Sequence, residues 1–255
     1  MTRSSGLAFA ACLLVASTAR AQPPPAGGGQ RAGGPPPMSN LQIIPKDTPR
    51  EQVLATMASI AGALGVQCNY CHVQEGRGGR NDMASDEKPT KKAARGMMVF
   101  AREINAKLPE AVGKSAEATT RVGCATCHRG LPIPKQITDI VTEAAASGGA
   151  ASGLAKYKEL REKFYGSGSY DFSENSLLMA AQRANAANKA DDALAYLQAN
   201  VEYNPKSSRS YLMISLIHNA KGDKALAIRD LEKAIELDPN NAQAKAQLQQ
   251  LKGGA

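Results

Sequence analysis

Tryptophan is absent from the 255 residues and only 4% of them are aromatic, so a dense aromatic core is not available to this chain. No P-loop, Ser-His-Asp constellation or paired-carboxylate site stands out above background, which leaves the enzyme classes built on them without support. Histidine is also scarce, with three residues in the whole chain. The apolar run near the N-terminus has about 12 residues, whereas a membrane-spanning helix needs about 20.

That apolar run, residues 6–17, forms the centre of a predicted secretory signal over residues 1–21. Arg3 supplies a positive charge ahead of the run, and a small-x-small cleavage pattern ends at Ala21. We therefore expect a periplasmic or otherwise exported protein that is cleaved near Ala21. A lipoprotein signal that uses Cys12 is the alternative interpretation.

A Cys-x-x-Cys-His pentapeptide occurs twice, at residues 68–72 and 124–128. The pattern is typical of c-type haem attachment, because two thiols three positions apart can add to the two vinyl groups of one porphyrin, and the adjoining imidazole becomes the proximal iron ligand. The predicted attachment residues are Cys68, Cys71, Cys124 and Cys127, and the predicted proximal ligands are His72 and His128. Two covalently attached haem c groups are therefore expected; a zinc ribbon or disulfides are the alternatives.

The charge balance is basic, with a formal net charge of +8 that falls to +6 when Arg3 and Arg20 leave with the signal. Residues 38–140 hold 14 basic and 10 acidic side chains, and the four propionates of two haems would offset this surplus. The charge therefore gives no support for nucleic acid or acidic lipid as a partner. Any membrane contact is expected to be indirect.

Two helices are predicted around the first pentapeptide. Thr48 as N-cap, a proline after it and Glu51 predict a helix over residues 49–64, with Gly65 as its left-handed stop. A second helix is predicted over residues 89–107. Each carries an apolar stripe that we expect to be buried. The first stripe consists of Val53, Met57, Ile60, Ala61 and Leu64, and the second of Ala93, Met97, Phe100, Ala101, Ile104 and Leu108.

An internal repeat follows the second pentapeptide. Asn204-Pro205 recurs as Asp238-Pro239, and at the same spacing Ala193 recurs as Ala227 and Leu197 as Leu231. The period, with paired helices and a closing proline, matches the tetratricopeptide pattern of about 34 residues. Helices near residues 154–164 and 242–251 are expected to cap the stack, because two repeats alone complete their core poorly. An unrelated pair of helical hairpins is the alternative.

These patterns divide the chain after the signal. Residues 22–40 are predicted to be a disordered tether, because their first part, residues 22–37, contains six prolines and five glycines. A haem-bearing domain is expected over residues 41–140, a small-residue linker over 141–153, and helical repeats over 154–255. The predicted fold class is all-α: a dihaem c-type cytochrome domain with few helices and long loops, followed by a tetratricopeptide-like repeat domain.

The second axial ligand of each iron is the next question. Histidine cannot supply both positions, because the third histidine, His218, lies in the repeats. Methionine is the remaining common choice. Met57 lies on the first apolar stripe, ahead of Cys68 in the chain, and Met97 and Met98 lie on the second helix. Ordinary core filling is the alternative role for each of these methionines.

Residues 41–135 resemble the haem-binding repeat of the cytochrome subunit of photosynthetic reaction centres, in which a helix donates a distal ligand before the chain turns back into the attachment motif. The matching residues are Met57 with 68–72, residues 94–98 and 102–105, and residues 124–130. The resemblance implies that Met57 is the distal ligand of the first haem. It implies the same role for Met97 at the second haem, with Met98 as the substitute.

Irons with two side-chain ligands leave no position for oxygen, peroxide or substrate, so the expected function is a periplasmic electron relay with no enzymatic activity. A redox protein donor and acceptor are the implied partners. The repeats would dock a protein partner, because stacked helices form a concave surface. The alternatives are a dihaem peroxidase or haem-based sensor with an open second haem, and an assembly factor that acts through its repeats.

Overall fold

The computed structural model describes residues 38–74, 79 and 81–253. The predicted signal and residues 22–37 of the predicted tether lie outside the described residues. Within the described part, the regular structure is almost entirely helical, which confirms the all-α fold class. The helices are α1 Arg50–Leu64, α2 Pro89–Ala111, α3 Cys124–His128, α4 Ile137–Phe164, α5 Glu174–Ala186, α6 Ala190–Tyr203, α7 Ser208–Ala220, α8 Lys224–Leu237 and α9 Ala242–Gly253.

The first helix ends as predicted but begins differently. Gly65 terminates α1 in the left-handed conformation at φ 66°, and the amide of Val66 donates to Ala61 O, which closes the helix end. The predicted capping role of Thr48 is wrong. Pro49 is the N-cap and no side chain makes a capping bond, while the Thr48 amide closes a separate turn onto Pro45 O at 3.1 Å.

The segment between the first pentapeptide and α2 contains a short antiparallel pair of strands. The strands are β1 (Val73–Gln74) and β2 (Asn81–Asp82). After β2, the carboxylate of Asp82 accepts hydrogen bonds from the amides of Ala84 and Ser85 at 3.0 and 2.9 Å. The side chain thereby fixes a compact turn ahead of α2.

Helix α2 begins at Pro89 as predicted and runs to Ala111, four residues past the predicted end. Pro109 lies in its last turn and has no amide N–H to donate to the carbonyl of Asn105, one turn earlier. The apolar stripe of α2 is not buried throughout, contrary to the prediction. Met97 is 50% exposed and Phe100 is 54% exposed. No described polypeptide segment covers this part of the helix.

The predicted linker at residues 141–153 is helical and lies inside α4. Gly148 and Gly149 kink the helix, and the amide of Ala150 donates to Asp192 Oδ1 at 3.0 Å. Its small residues permit close packing instead of flexibility, since a Cβ added to Gly153 would lie 2.2 Å from the hydroxyl of Tyr196. A domain division at this segment remains a prediction.

The repeat region forms two helical hairpins, α5–α6 and α7–α8. Their helices begin at equivalent positions of the two copies, at Glu174 and Ser208 and again at Ala190 and Lys224. The predicted repeat positions are equivalent in burial as well as in sequence, because Ala193, Ala227, Leu197 and Leu231 are all at most 1% exposed. This confirms the predicted helical repeat. Helix α9 packs against α8, and α4 packs against α5 and α6.

None of the described helices combines the length and apolar character that a membrane span requires.

Candidate functional site

The first pentapeptide forms a single tight turn. Residues Cys68–Tyr70 adopt a 3₁₀ conformation, and the amides of Cys71 and His72 both donate to Cys68 O, at 3.3 and 3.0 Å. Residues three apart eclipse one another in this geometry, so the two thiols lie on one side of the turn. Burial raises the pKa of the Cys71 thiol, an effect partly opposed by a hydrogen bond from Thr90.

The second pentapeptide is the short helix α3, residues Cys124–His128. The Thr126 hydroxyl accepts a hydrogen bond from the amide of Gly123 at 3.0 Å and caps the helix start. Helical spacing places Cys124 and Cys127 on one face, because residues at i and i+3 are neighbours. Arg129 ends the helix at φ 47°. The four cysteines of the two motifs form no disulfide bond.

Both motif histidines are held in the same way. His72 Nδ1 lies 2.9 Å from Met83 O, and His128 Nδ1 lies 2.8 Å from Leu131 O. A carbonyl oxygen only accepts hydrogen bonds, so Nδ1 is the protonated nitrogen in each ring. This leaves the lone pair of Nε2 free and the ring orientation fixed, which is the usual arrangement of a metal-ligating histidine.

A backbone contact joins the two motifs. The amide of Gly130, two residues after His128, donates to Ala63 O at the end of α1 at 2.8 Å. The approach is so close that a Cβ added to Gly65 would lie 2.2 Å from Gly130 O. Gly65 precedes Cys68 by three residues, so this contact brings the two pentapeptides together in one structural unit.

Met57 lies where the sequence places it, on the same helix face as Val53 and Leu64. Val53 is buried, whereas Met57 and Leu64 are only half-buried by the polypeptide. The face therefore keeps apolar surface that another group can cover.

Helix α2 presents two different faces. On one face, Arg95 and Arg102 donate to Asn40 O and Ile43 O, both at 3.1 Å, and Asn105 donates to Val122 O at 2.8 Å. By helical periodicity Met98 lies on this anchored face, between Arg95 and Arg102. Met97 lies on the other face with Phe100, where the described polypeptide leaves apolar surface exposed.

The role of Lys91 at the first motif is not indicated by the sequence, because a Lys-Lys pair at a helix start usually marks a solvated face. Its side chain is nearly buried, and Nζ donates to the carbonyls of Met83, Ala84 and Ser85 at 2.9, 3.0 and 2.8 Å. Lys91 thereby holds the chain segment whose first carbonyl orients His72.

A cavity of about 390 Å³ lies between the second motif and the repeats. Cys127 and Arg129 line one side, and Met179 of α5 lines another. The Ser169 hydroxyl donates to Arg129 O at 2.8 Å and closes the cavity edge. The sequence gives no signal for the position of Met179 at this cavity, because that position depends on tertiary packing.

The donor set of each motif fits a c-type haem. Each supplies two thiols on one side of a turn and an imidazole with a free Nε2, beside apolar surface that the polypeptide leaves partly open. The zinc-ribbon alternative needs the cysteine pairs to converge. Among residues 38–74, 79 and 81–253, no three or more His, Cys, Asp or Glu side chains form a group that could hold a metal ion.

Comparison with solved structures finds matches of low sequence identity and low TM-score. The first tetratricopeptide repeat domain of Spaghetti (RPAP3) bound to an HSP90 peptide is 17% identical, with a TM-score of 0.33, and the match covers 46% of this chain and 89% of that chain. MamA is 16% identical, with a TM-score of 0.34 and coverage of 64% and 82%.

Comparison with curated sequences finds cytochromes. Cytochrome c-554 of Chloroflexus aurantiacus is 38% identical over 100 residues, which are 34% of this chain and 21% of that protein. The photosynthetic reaction center cytochrome c subunit of Rubrivivax gelatinosus is 37% identical over 70 residues, or 28% and 16%. That of Thermochromatium tepidum is 35% identical over 98 residues, or 38% and 21%. The matches thus span between 16% and 21% of these relatives.

The family model for the photosynthetic reaction centre cytochrome C subunit matches residues 18–226, well beyond the stretch 41–135 on which the resemblance is based. The match takes in both pentapeptides, Met57, α2 and the first helical hairpin of the repeats. The chain belongs to the photosynthetic reaction centre cytochrome c subunit family.

Proposed function

We propose that this protein is a dihaem c-type cytochrome that relays electrons between redox proteins. The observation that supports the proposal is the hydrogen bond from the Gly130 amide to Ala63 O, with Gly65 close to Gly130, because it brings the two Cys-x-x-Cys-His pentapeptides together. Two redox groups held in one rigid unit can exchange electrons without any movement of the chain.

The haem supplies the one-electron chemistry, and the protein supplies attachment and orientation. Cys68 and Cys71 would hold the first haem by thioether bonds, with His72 as its proximal ligand and Met57 as its distal ligand. At the second site, Cys124, Cys127 and His128 would take the corresponding roles. The hydrogen bonds of the two Nδ1 atoms keep each imidazole plane fixed during oxidation and reduction.

Met97 is the proposed distal ligand at the second site. It is preferred to Met98 because it lies on the open apolar face of α2, whereas Met98 lies among the side chains that anchor the helix. With both irons fully ligated, no position remains for peroxide or a gas. The proposed function is therefore that of an electron carrier and not of an enzyme.

The repeat region is the proposed docking element for a protein partner. Its two hairpins repeat at equivalent positions, and such stacks present an extended concave surface. A redox protein donor and acceptor complete the proposed relay. Location in the periplasm rests on the signal predicted for residues 1–21, and the membrane contact is proposed to be indirect.

Haem content and ligation test the proposal directly. Intact mass and haem staining of the exported protein should show two porphyrins and loss of the signal. Replacing Cys68 and Cys71 together by alanine should remove one haem, and replacing Cys124 and Cys127 should remove the other. Fewer than two haems in the unaltered protein would contradict the dihaem relay.

The spectrum of the ferric protein separates the relay from its main alternative. Two low-spin, methionine-ligated irons that bind neither cyanide nor carbon monoxide tightly are expected for a closed relay. A high-spin component would instead favour a peroxidase or sensor with an open second haem. A Met97→Leu change should create that open site, and a Met213→Leu change in α7 serves as a control for the same substitution away from both pentapeptides.

A further inference from the structure

The carbonyl that orients the first proximal histidine is shared with a cation. Met83 O accepts from His72 Nδ1 at 2.9 Å and from Lys91 Nζ, also at 2.9 Å. The same ammonium donates to the next two carbonyls, Ala84 O and Ser85 O, so it is fixed in place by three backbone acceptors. Only 8% of Lys91 is exposed, and little water screens its charge.

The second motif differs in this respect. Leu131 O accepts from His128 Nδ1 at 2.8 Å, and within the described residues no lysine or arginine donates to that carbonyl. The two motifs are therefore alike in their ligands and unlike in the electrostatics of the carbonyl behind the proximal ring.

Lys91 shares its carboxylate partner with a second cation. Asp86 pairs with Lys91 at 3.3 Å and more closely with Arg95 at 2.8 Å. Hydrogen bonds from Arg95 and Asn40 hold the pKa of Asp86 well below its usual range, so this carboxylate remains an anion. Lys91 and Arg95 thus share one carboxylate, which offsets the positive charge of Lys91 only in part.

We propose that Lys91 is a positioning residue that raises the reduction potential of the haem on the first motif relative to the haem on the second. This rests on the proposed function, because it takes the first haem to be held by Cys68, Cys71 and His72. A carbonyl that already accepts from an ammonium is a weaker acceptor for Nδ1–H, so the imidazole donates less electron density to the iron. The buried positive charge acts in the same direction, since the ferrous iron carries one positive charge fewer than the ferric iron.

The test is a redox titration of the full-length holoprotein with both potentials resolved. Lys91→Met removes the charge and the donor, and it should lower the equilibrium constant for reduction of one haem at least tenfold, which is about 59 mV for one electron. Lys91→Arg should keep that potential within a factor of three of the unaltered protein. Lys92→Met is the matched control, because it removes an exposed charge one residue away, and it should leave both potentials within the same factor.

The shifted haem is assigned from the hyperfine-shifted proton resonances of its axial histidine, which should move for His72 and not for His128. If Lys91→Met shifts neither reduction potential, or shifts them no more than Lys92→Met does, the inference about Lys91 is overturned. The proposed relay function is judged separately, because it requires only that the unaltered protein contain two low-spin haems. If Lys91→Met does not retain both haems, Asp86→Asn decides the question. Loss of the counter-charge should raise the first potential, and a fall or no change overturns the inference.

Discussion

The contact between Gly65 and Gly130 makes a quantitative prediction for Gly65→Ala. Two penalties add at this position. A residue with a Cβ at φ 66° pays about 1–2 kcal/mol for the left-handed conformation. The new Cβ would also lie 2.2 Å from Gly130 O and 2.9 Å from Gly130 C, so the backbone must move, and overpacking of this kind costs about 1–3 kcal/mol.

Three other glycines separate these penalties. Gly113 has φ 65° with nothing within 4 Å of an added Cβ, so Gly113→Ala should lose only the conformational part, about 1–2 kcal/mol. Gly130→Ala should behave similarly, because its added Cβ meets only Ser169 Oγ at 3.5 Å. Gly62 lies in α1 with open space around it, and Gly62→Ala should stabilise the protein by about 0.5–1 kcal/mol.

The assay is urea unfolding of the holoprotein followed by far-UV circular dichroism, with haem content measured for each variant. We expect Gly65→Ala to lose about 2–5 kcal/mol, more than Gly113→Ala and Gly130→Ala, because it alone adds a backbone clash. A loss at Gly65 no larger than the loss at Gly113 would refute the idea that the two motifs are joined by a close backbone contact.

Three further predictions concern the ligands, the turn before α2 and the repeats. Met57→Ala should lower the reduction potential of the first haem and abolish its methionine–iron charge-transfer band, and Met97→Ala should do the same at the second haem. If the spectrum changes for Met98→Ala and not for Met97→Ala, Met98 is the distal ligand of the second haem instead. The pKa of Asp86 is lower in the folded state than in the unfolded state, where it is about 4, so the ionised carboxylate stabilises the fold above about pH 4. This stabilisation is lost as the pH falls toward the folded-state pKa. Asp86→Asn should therefore reduce the dependence of the unfolding free energy on pH below about pH 4. Asn200 is fully buried and donates to Glu174 O and Ser210 Oγ, so Asn200→Ala should lower the free energy of unfolding by about 1–3 kcal/mol. A melting temperature equal to that of the unaltered protein would contradict a structural role for this side chain.

The features that the sequence predicted are those fixed by local chemistry or by strict periodicity. Haem attachment would need two thiols and an imidazole at set spacing, and residues 68–72 and 124–128 form tight helical turns compatible with that proposed role. The repeats were predictable because each buried position recurs at a constant spacing, as at Leu197 and Leu231. The stop of α1 was predictable because Gly65 alone there tolerates a positive φ.

The features that the sequence did not predict depend on tertiary neighbours. Residues 141–153 have the composition of a linker because they are small, but small residues also permit close helix packing, as Gly153 does against Tyr196. Lys91 has the sequence context of a solvated lysine, and only the fold of residues 83–85 around it creates its three acceptors. The placement of Met179 and Cys127 at one cavity likewise depends on how α5 meets the second motif.

The scarcity of aromatic residues and the exposed face of α2 have a common explanation on the proposed function. Met97 and Phe100 are half-exposed in a helix whose opposite face is anchored by Arg95, Arg102 and Asn105, so the helix is held firmly while its apolar face lacks a polypeptide partner among the described residues. A porphyrin is a large, flat apolar surface of the kind that aromatic side chains otherwise provide. The haem-bearing half of the chain can therefore dispense with tryptophan, because its cofactors complete the interior that its side chains leave open, and attachment of haem becomes part of folding as well as of function.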